Sequence, residues 1–152
     1  MKTALISFGD ELLQGIRVNT NAQEIASLLR SKGLFLDSIL ELPDREDKHL
    51  EDVLKLLFSK TSLVITTGGL GPTGDDQTRA LFARLYRRSL FLDKTYAEGL
   101  KKRVGNAYPI EEVSTIPEDS LLLPNTIGTA CGFAFKNVSP FPETCVIVLP
   151  GP

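Results

Sequence analysis

Residues 63–78 constrain this chain more than any other stretch. They begin as a β-branched run, Leu63-Val64-Ile65-Thr66-Thr67, break into Gly68-Gly69-Leu70-Gly71-Pro72-Thr73-Gly74, and leave through Asp75-Asp76-Gln77-Thr78 into an amphipathic segment. The pattern predicts a strand, a loop and a helix that starts at Asp75 or Asp76. Four glycines in seven residues let the backbone approach a ligand closely and point successive N–H groups into one concavity, which suits a phosphate. A helix start there adds the positive end of its dipole. The two carboxylates cannot hold a phosphate themselves; beside one, they suit a divalent cation such as Mg²⁺. Gly-Gly turns and aspartate caps are also ordinary punctuation between strand and helix, so the rest of the chain decides between the two readings.

Taken in order, residues 2–8 read as a first strand, apolar enough to be buried on both faces. Residues 9–15 follow as a loop with Asp10 and Glu11 between two glycines. Asn19-Thr20-Asn21 offers helix caps, Ala22, Ile25, Ala26 and Leu29 recur at helical spacing, and Gly33 ends that helix. Residues 34–42 read as a second strand. An acid-rich helix start at Asp44-Arg45-Glu46-Asp47 then leads to a buried stripe of Leu50, Val53, Leu54 and Leu57. After the glycine loop, Thr78, Leu81, Phe82 and Leu85 form an inner helix face. Asp93 caps another helix with Tyr96, Leu100 and Val104 inward. From Gly105 the alternation gives way to a β-rich excursion with short apolar runs at 121–123 and 132–135, and a last buried strand at 145–149.

Strand-helix alternation of this kind implies a mostly parallel sheet covered on both faces, an α/β fold whose ligands bind beyond the carboxyl ends of the strands. Three segments fall at that end: residues 9–15, residues 68–76 and Pro150-Gly151. Their convergence is the strongest argument for a site drawn from the residues alone. No Gly-Lys-Ser/Thr is present, so a Walker-type P-loop is excluded, and Gly69-Leu70-Gly71 lacks the third glycine of a dinucleotide fingerprint.

At 152 residues one domain spanning 1–152 is expected, long enough to bury a core. A net charge of −2 gives no reason to expect a nucleic-acid partner. The clusters Lys101-Lys102-Arg103 and Arg84/Arg87/Arg88 read as solvated faces. No apolar run approaches the ~20 residues of a membrane span, and no signal-peptide core precedes Gly9. Cys131 and Cys145, in apolar runs without CxxC spacing, read as buried thiols, and a cytoplasmic location is expected. The single histidine, His49, sits in a charged stretch and reads as a surface residue, which argues against Ser-His-Asp or Cys-His chemistry.

Several segments together resemble one family. Gly9-Asp10-Glu11-Leu12-Leu13-x-Gly15, Asn19-Thr20-Asn21, Thr67-Gly68-Gly69-Leu70-Gly71-Pro72-Thr73-x-Asp75-Asp76-x-Thr78, Leu123 to Phe133 and Leu149-Pro150-Gly151-Pro152 are similar to the molybdopterin-binding (MoaB/Mog-like) domain. The similarity is greatest to its CinA-type branch. It implies a three-layer α/β/α fold and a pocket for a small phosphorylated nucleotide or pterin. Within it the family's glycine loop matches Gly68, Gly69 and Gly71. Ligand contacts are also expected at Gly9, Leu70, Thr73, Thr78, Gly128, Pro150 and Gly151, and at Asn21 and Asn125, which read equally well as a helix cap and a turn residue. A Mg²⁺ or other divalent cation would be held by Asp76 with Asp75 or Asp10, with Glu11 or Asp10 as the water-orienting base. A homo-oligomer, dimer or trimer, is expected on the resemblance alone.

CinA-type members are associated with metal-dependent hydrolysis of ADP-ribose to AMP and ribose 5-phosphate, and Mog-like members with adenylylating or binding molybdopterin. The first is the expectation for this chain; molybdopterin adenylylation, or a non-catalytic binding module, is the alternative. Two departures from the family pattern stand out: Cys131 where proline is common, and Val113-Ser114-Thr115 where Lys-Gln-Ala is. The sequence also includes no amidohydrolase domain, so nicotinamide-mononucleotide deamidation is not expected of it.

Overall fold

The computed structural model describes residues 1–45, 47, 49–106 and 108–151. The chain runs β1 (Thr3–Phe8), α1 (Asp10–Leu13), α2 (Thr20–Ser31), β2 (Ser38–Leu42), α3 (Leu50–Phe58), β3 (Leu63–Thr67) and α4 (Thr78–Tyr86). It continues through β4 (Leu90–Leu92), α5 (Lys94–Val104), α6 (Ile110–Val113), β5 (Thr115–Pro117), β6 (Leu121–Leu123), β7 (Gly132–Phe135) and β8 (Cys145–Leu149). Six strands form one sheet in the order β2-β1-β3-β8-β7-β6, while β4 and β5 pair as a separate antiparallel ribbon. The first four strands of the large sheet are parallel; β7 and β6 are antiparallel to their neighbours. This is the mostly parallel α/β arrangement with a β-rich late segment that the sequence predicts.

The period-two alternation of strand side chains divides the core. Ile6, Phe8, Val64, Val146 and Val148 face a large cluster that includes Leu50, Leu54 and Phe58 of α3 and Leu81, Phe82 and Leu85 of α4. Leu5 and Ile65 face the opposite side, where Ala22, Ile25 and Leu29 of α2 cover the sheet. Helices therefore lie on both faces, giving three layers. Phe82 anchors the larger side: its ring meets Phe8 and Phe133 edge-on at 6.4 and 6.0 Å. Burying such a side chain fully stabilises by about 1.5–3 kcal/mol.

Several expected boundaries shift for identifiable reasons. Strand β2 starts at Ser38 rather than residue 34, because Leu34 still closes α2 by donating to Leu29 and pairing with β1 begins only at Ala4↔Ser38. Residues 10–13 form a single helical turn, closed by Leu13 N–H donating to Gly9 C=O. Helix α3 begins at Leu50, after the acidic start expected at residues 44–47, of which Glu46 lies outside the described residues. Val53 is exposed and Phe58 takes its place on the buried stripe; Val104 is likewise exposed. Helix α4 begins at Thr78, not at Asp75 or Asp76. Cys131 is buried, Cys145 half-buried, and both are free thiols. His49 is exposed, as expected.

Candidate binding and active site

Parallel register aligns the carboxyl ends of three central strands: Ser7 pairs with Thr67, and Thr67 with Leu149. The segments that follow must therefore emerge side by side. Gly68 N–H donates to Leu149 C=O at 3.1 Å, and a Cβ on Gly151 would lie 3.5 Å from Gly68 Cα. Beyond these ends lies a groove of two lobes. One, of about 360 Å³, is lined by Gly68, Gly69, Leu70, Gly71, Asp76, Asn125, Gly128, Pro150 and Gly151, with Glu11, Arg17, Asp44 and Tyr108. The other, of about 370 Å³, runs over Leu12, Val18, Asn19, Thr20 and Asn21. Phe8, Glu11, Arg17, Gly68 and Gly151 belong to both lobes.

The glycine loop is fixed peptide by peptide. Gly69 C=O accepts the Thr78 N–H at 3.2 Å. The C=O and N–H of a trans peptide point in opposite directions, so the Leu70 N–H faces away from α4. Gly71 N–H donates to Asp76 Oδ1 at 2.8 Å, and Thr73 N–H to Asp76 Oδ2 at 3.0 Å. Among the described residues the N–H groups of Gly69 and Leu70 have no acceptor. Of the loop residues that line the groove these two keep unpaired donors, Gly69 half-buried and Leu70 buried. The Gly74 and Asp75 N–H groups also lack an acceptor among the described residues but belong to exposed residues outside the groove. Glycine is required at its start: Gly68 and Gly69 have φ of +97° and +67°, and a Cβ would meet Phe8 O at 2.2 Å or Thr78 Oγ1 at 2.0 Å.

Some residues expected in the site do other work. Thr73 is exposed and donates its hydroxyl to Asp76. Thr78 is buried beneath Gly69, away from the groove, with Oγ1 unpaired among the described residues. Gly9 is buried behind Glu11; a Cβ there would lie 2.9 Å from the Glu11 carboxylate. Asp75 is exposed and does not line the groove. Asn125 lines it, but its side chain is engaged in its own turn, accepting from Ile127 and Gly128 N–H and donating to Ala130 C=O. Asn21 lines the second lobe, next to Asn19, which caps α2 by accepting the Ala22 N–H at 3.1 Å.

The acids are distributed differently from the expected Asp10/Asp75/Asp76 set. Among the described residues no three His, Cys, Asp or Glu side chains stand together at metal-ligating spacing. Both Asp76 oxygens already accept loop donors, and Asp10 pairs with Arg45 through Oδ2. Asp10 Oδ1 is nevertheless buried without a partner, and Glu11 and Asp44 line the first lobe. Desolvation, opposed by main-chain hydrogen bonds and reinforced by the charges of Asp10 and Glu11, raises the Asp44 pKa from its ordinary value. A cation at this spot would relieve that repulsion. Mg²⁺ commonly takes only one or two carboxylates, completing its shell with ligand phosphate and water, so Asp44, with Glu11 beside it, fits it.

Among the site residues that escaped the sequence reading are Arg17, Asp44, Tyr108 and Arg79. The first three lie on loops where no periodicity marks direction. Arg79 was legible, since it stands three and seven residues before Phe82 and Tyr86 on the buried face of α4.

A profile of the family described as "Probable molybdopterin binding domain" matches residues 4–152. A CinA-like protein of Chlorobium phaeovibrioides is 37% identical over 99% of this chain and 36% of its own length. One from Geobacter sulfurreducens is 39% identical over 99% and 37%. The chain thus spans little more than a third of these curated relatives. The crystal structure of CinA, of unknown function, from Thermoplasma acidophilum superposes with a TM-score of 0.85 at 30% identity, covering 100% of this chain and 90% of that one. The molybdopterin biosynthesis enzyme MoaB from Thermus thermophilus shares the fold at a TM-score of 0.63 and 20% identity, covering 99% and 81%.

Proposed function

The chain belongs to the molybdopterin-binding domain family, in the company of CinA-like relatives, and from that premise we propose that it is a Mg²⁺-dependent hydrolase of an ADP-ribose-like nucleotide. The observation that carries the reading is the pair of unpaired N–H groups on Gly69 and Leu70, beside carboxylates that do not belong to the loop. The N–H groups receive one phosphate; Arg17, common to both lobes and exposed, faces the other. A two-lobed groove accommodates a molecule with a group on each side of a diphosphate better than a compact one.

Glu11 is the base of this proposal. It lines both lobes and forms no ion pair among the described residues, whereas Asp10 is paired with Arg45. Its carboxylate takes a proton from a water whose oxygen attacks one phosphorus; the P–O bond to the bridging oxygen breaks, leaving AMP and ribose 5-phosphate. Asp44 would hold the Mg²⁺, which when bound neutralises charge developing on the phosphoryl oxygens. The glycine loop holds the phosphate that is not attacked, its donors aimed before the ligand arrives.

Thermal unfolding with ADP-ribose, AMP and a molybdopterin-type pterin, each with and without Mg²⁺, tests the ligand class. ADP-ribose with Mg²⁺ is expected to raise Tm most, since a ligand at 100 times its Kd adds about 2.7 kcal/mol. A rise with the pterin and none with ADP-ribose would move the assignment to pterin binding or adenylylation.

A further inference from the structure

Arg79 is only 6% exposed, yet among the described residues it has no carboxylate in salt-bridge contact. Its guanidinium lies beneath the glycine loop, with Nη2 donating to Leu70 C=O and Nη1 to Gly71 C=O at 3.3 Å. The Leu70 C=O belongs to the same peptide unit as the Gly71 N–H, which donates to Asp76 Oδ1 at 2.8 Å. One peptide is therefore gripped at its oxygen by a cation and at its hydrogen by an anion. Arg79 Nε is buried and unpaired among the described residues. A buried charge without full compensation is costly, and two carbonyl bonds alone do not account for placing one here.

We propose that Arg79 is a positioning residue for anion binding, holding the Leu70–Gly71 peptide so that the N–H groups of Gly69 and Leu70 stay free, and supplying positive potential from below the loop. The inference rests on the reading of that loop as a phosphate site. The ligand chemistry it serves is a phosphate monoester or diphosphate. The loop has no lysine or arginine of its own between Gly68 and Gln77, so its charge must come from elsewhere. A guanidinium suits the task because its planar fork reaches two carbonyls at once, which an ammonium cannot do in the same geometry.

The test is an amide NMR titration of the parent, Arg79→Lys and Arg79→Met with inorganic phosphate. In the parent, the Gly69 and Leu70 resonances should move saturably. In Arg79→Met the midpoint should rise at least tenfold while resonances of α2 and β2 stay in place; a loss of packing alone would disturb those as well. Arg79→Lys, which keeps charge but not the fork, should fall between the two. Should Arg79→Met fail to fold, Arg79→Lys decides: a higher midpoint supports the role and an unchanged one overturns it. Parent and folded Arg79→Met with equal midpoints would overturn the role of Arg79 and leave the phosphate site standing. No movement of Gly69 and Leu70 in the parent would overturn both.

Discussion

The Asp44 carboxylate accepts the main-chain N–H of Asp10 at 3.3 Å, tying the turn after β2 to the turn after β1 at the mouth of the groove. This bond fixes Asp44 beside the charges of Asp10 and Glu11, and burial with that repulsion raises its pKa above the ordinary 3.8. A carboxyl with a raised folded pKa favours folding only while protonated. Its contribution is complete below the unfolded value and is lost as pH rises through the folded one. At neutral pH ionised Asp44 therefore opposes folding. Asp44→Asn, which keeps an oxygen to accept the Asp10 N–H, should raise the metal-free Tm at pH 7 by about 1–3 °C, the scale of a partly exposed charge. The gain should vanish as pH falls below about 4, and the Mg²⁺-dependent part of ligand stabilisation should fall with it. A lowered Tm at pH 7 would contradict the repulsion.

Gly69 holds φ of +67°, and a Cβ there would meet Thr78 Oγ1 at 2.0 Å. Gly69→Ala should cost about 1–3 kcal/mol from the backbone alone, read as a lower denaturant midpoint at unchanged m-value. Phosphate binding should be lost as well, because the unpaired N–H groups flank the Gly69 α-carbon that would carry the new methyl. Gly74→Ala is the control: nothing lies within 4 Å of its added Cβ, so it should shift stability by less than about 0.5 kcal/mol.

Tyr86 stacks on Phe135 with ring centroids 3.6 Å apart and planes 7° off parallel, and it is fully buried. Its hydroxyl has no partner among the described residues, and burial raises its pKa. Tyr86→Phe keeps the stack and removes an unsatisfied polar atom, which otherwise costs about 1–3 kcal/mol. The variant should be as stable as the parent or more so by up to about 1–3 kcal/mol, measured by urea unfolding. A loss of stability would show that the hydroxyl is satisfied in solution.

Much of the frame was legible because it rests on local pattern. The runs at 63–67, 121–123, 132–135 and 145–149 are the observed strands, since short apolar runs bounded by Gly and Pro leave little choice of period. The convergence of residues 9–15, 68–76 and 150–151 followed from parallel topology and needed no side-chain detail. Strand β4 was missed because three residues, Leu90–Leu92, pair only with the distant Thr115–Pro117, a tertiary event with no local signature. Direction was hardest to read. Asp76 and Thr73 turn toward each other and close the loop, while Asp44, distant in sequence, comes beside Asp10. Such choices depend on which donors the folded loop leaves unpaired.

The most direct measurement is product analysis after incubating the protein with ADP-ribose and Mg²⁺, beside Glu11→Gln. The proposed reaction predicts AMP and ribose 5-phosphate in equal amounts from the parent. It also predicts a fall in rate of about 10²–10⁴-fold in the variant, the usual contribution of a general base, with ADP-ribose binding retained. Absence of AMP with both Mg²⁺ and Mn²⁺, or an undiminished rate in Glu11→Gln, would contradict it.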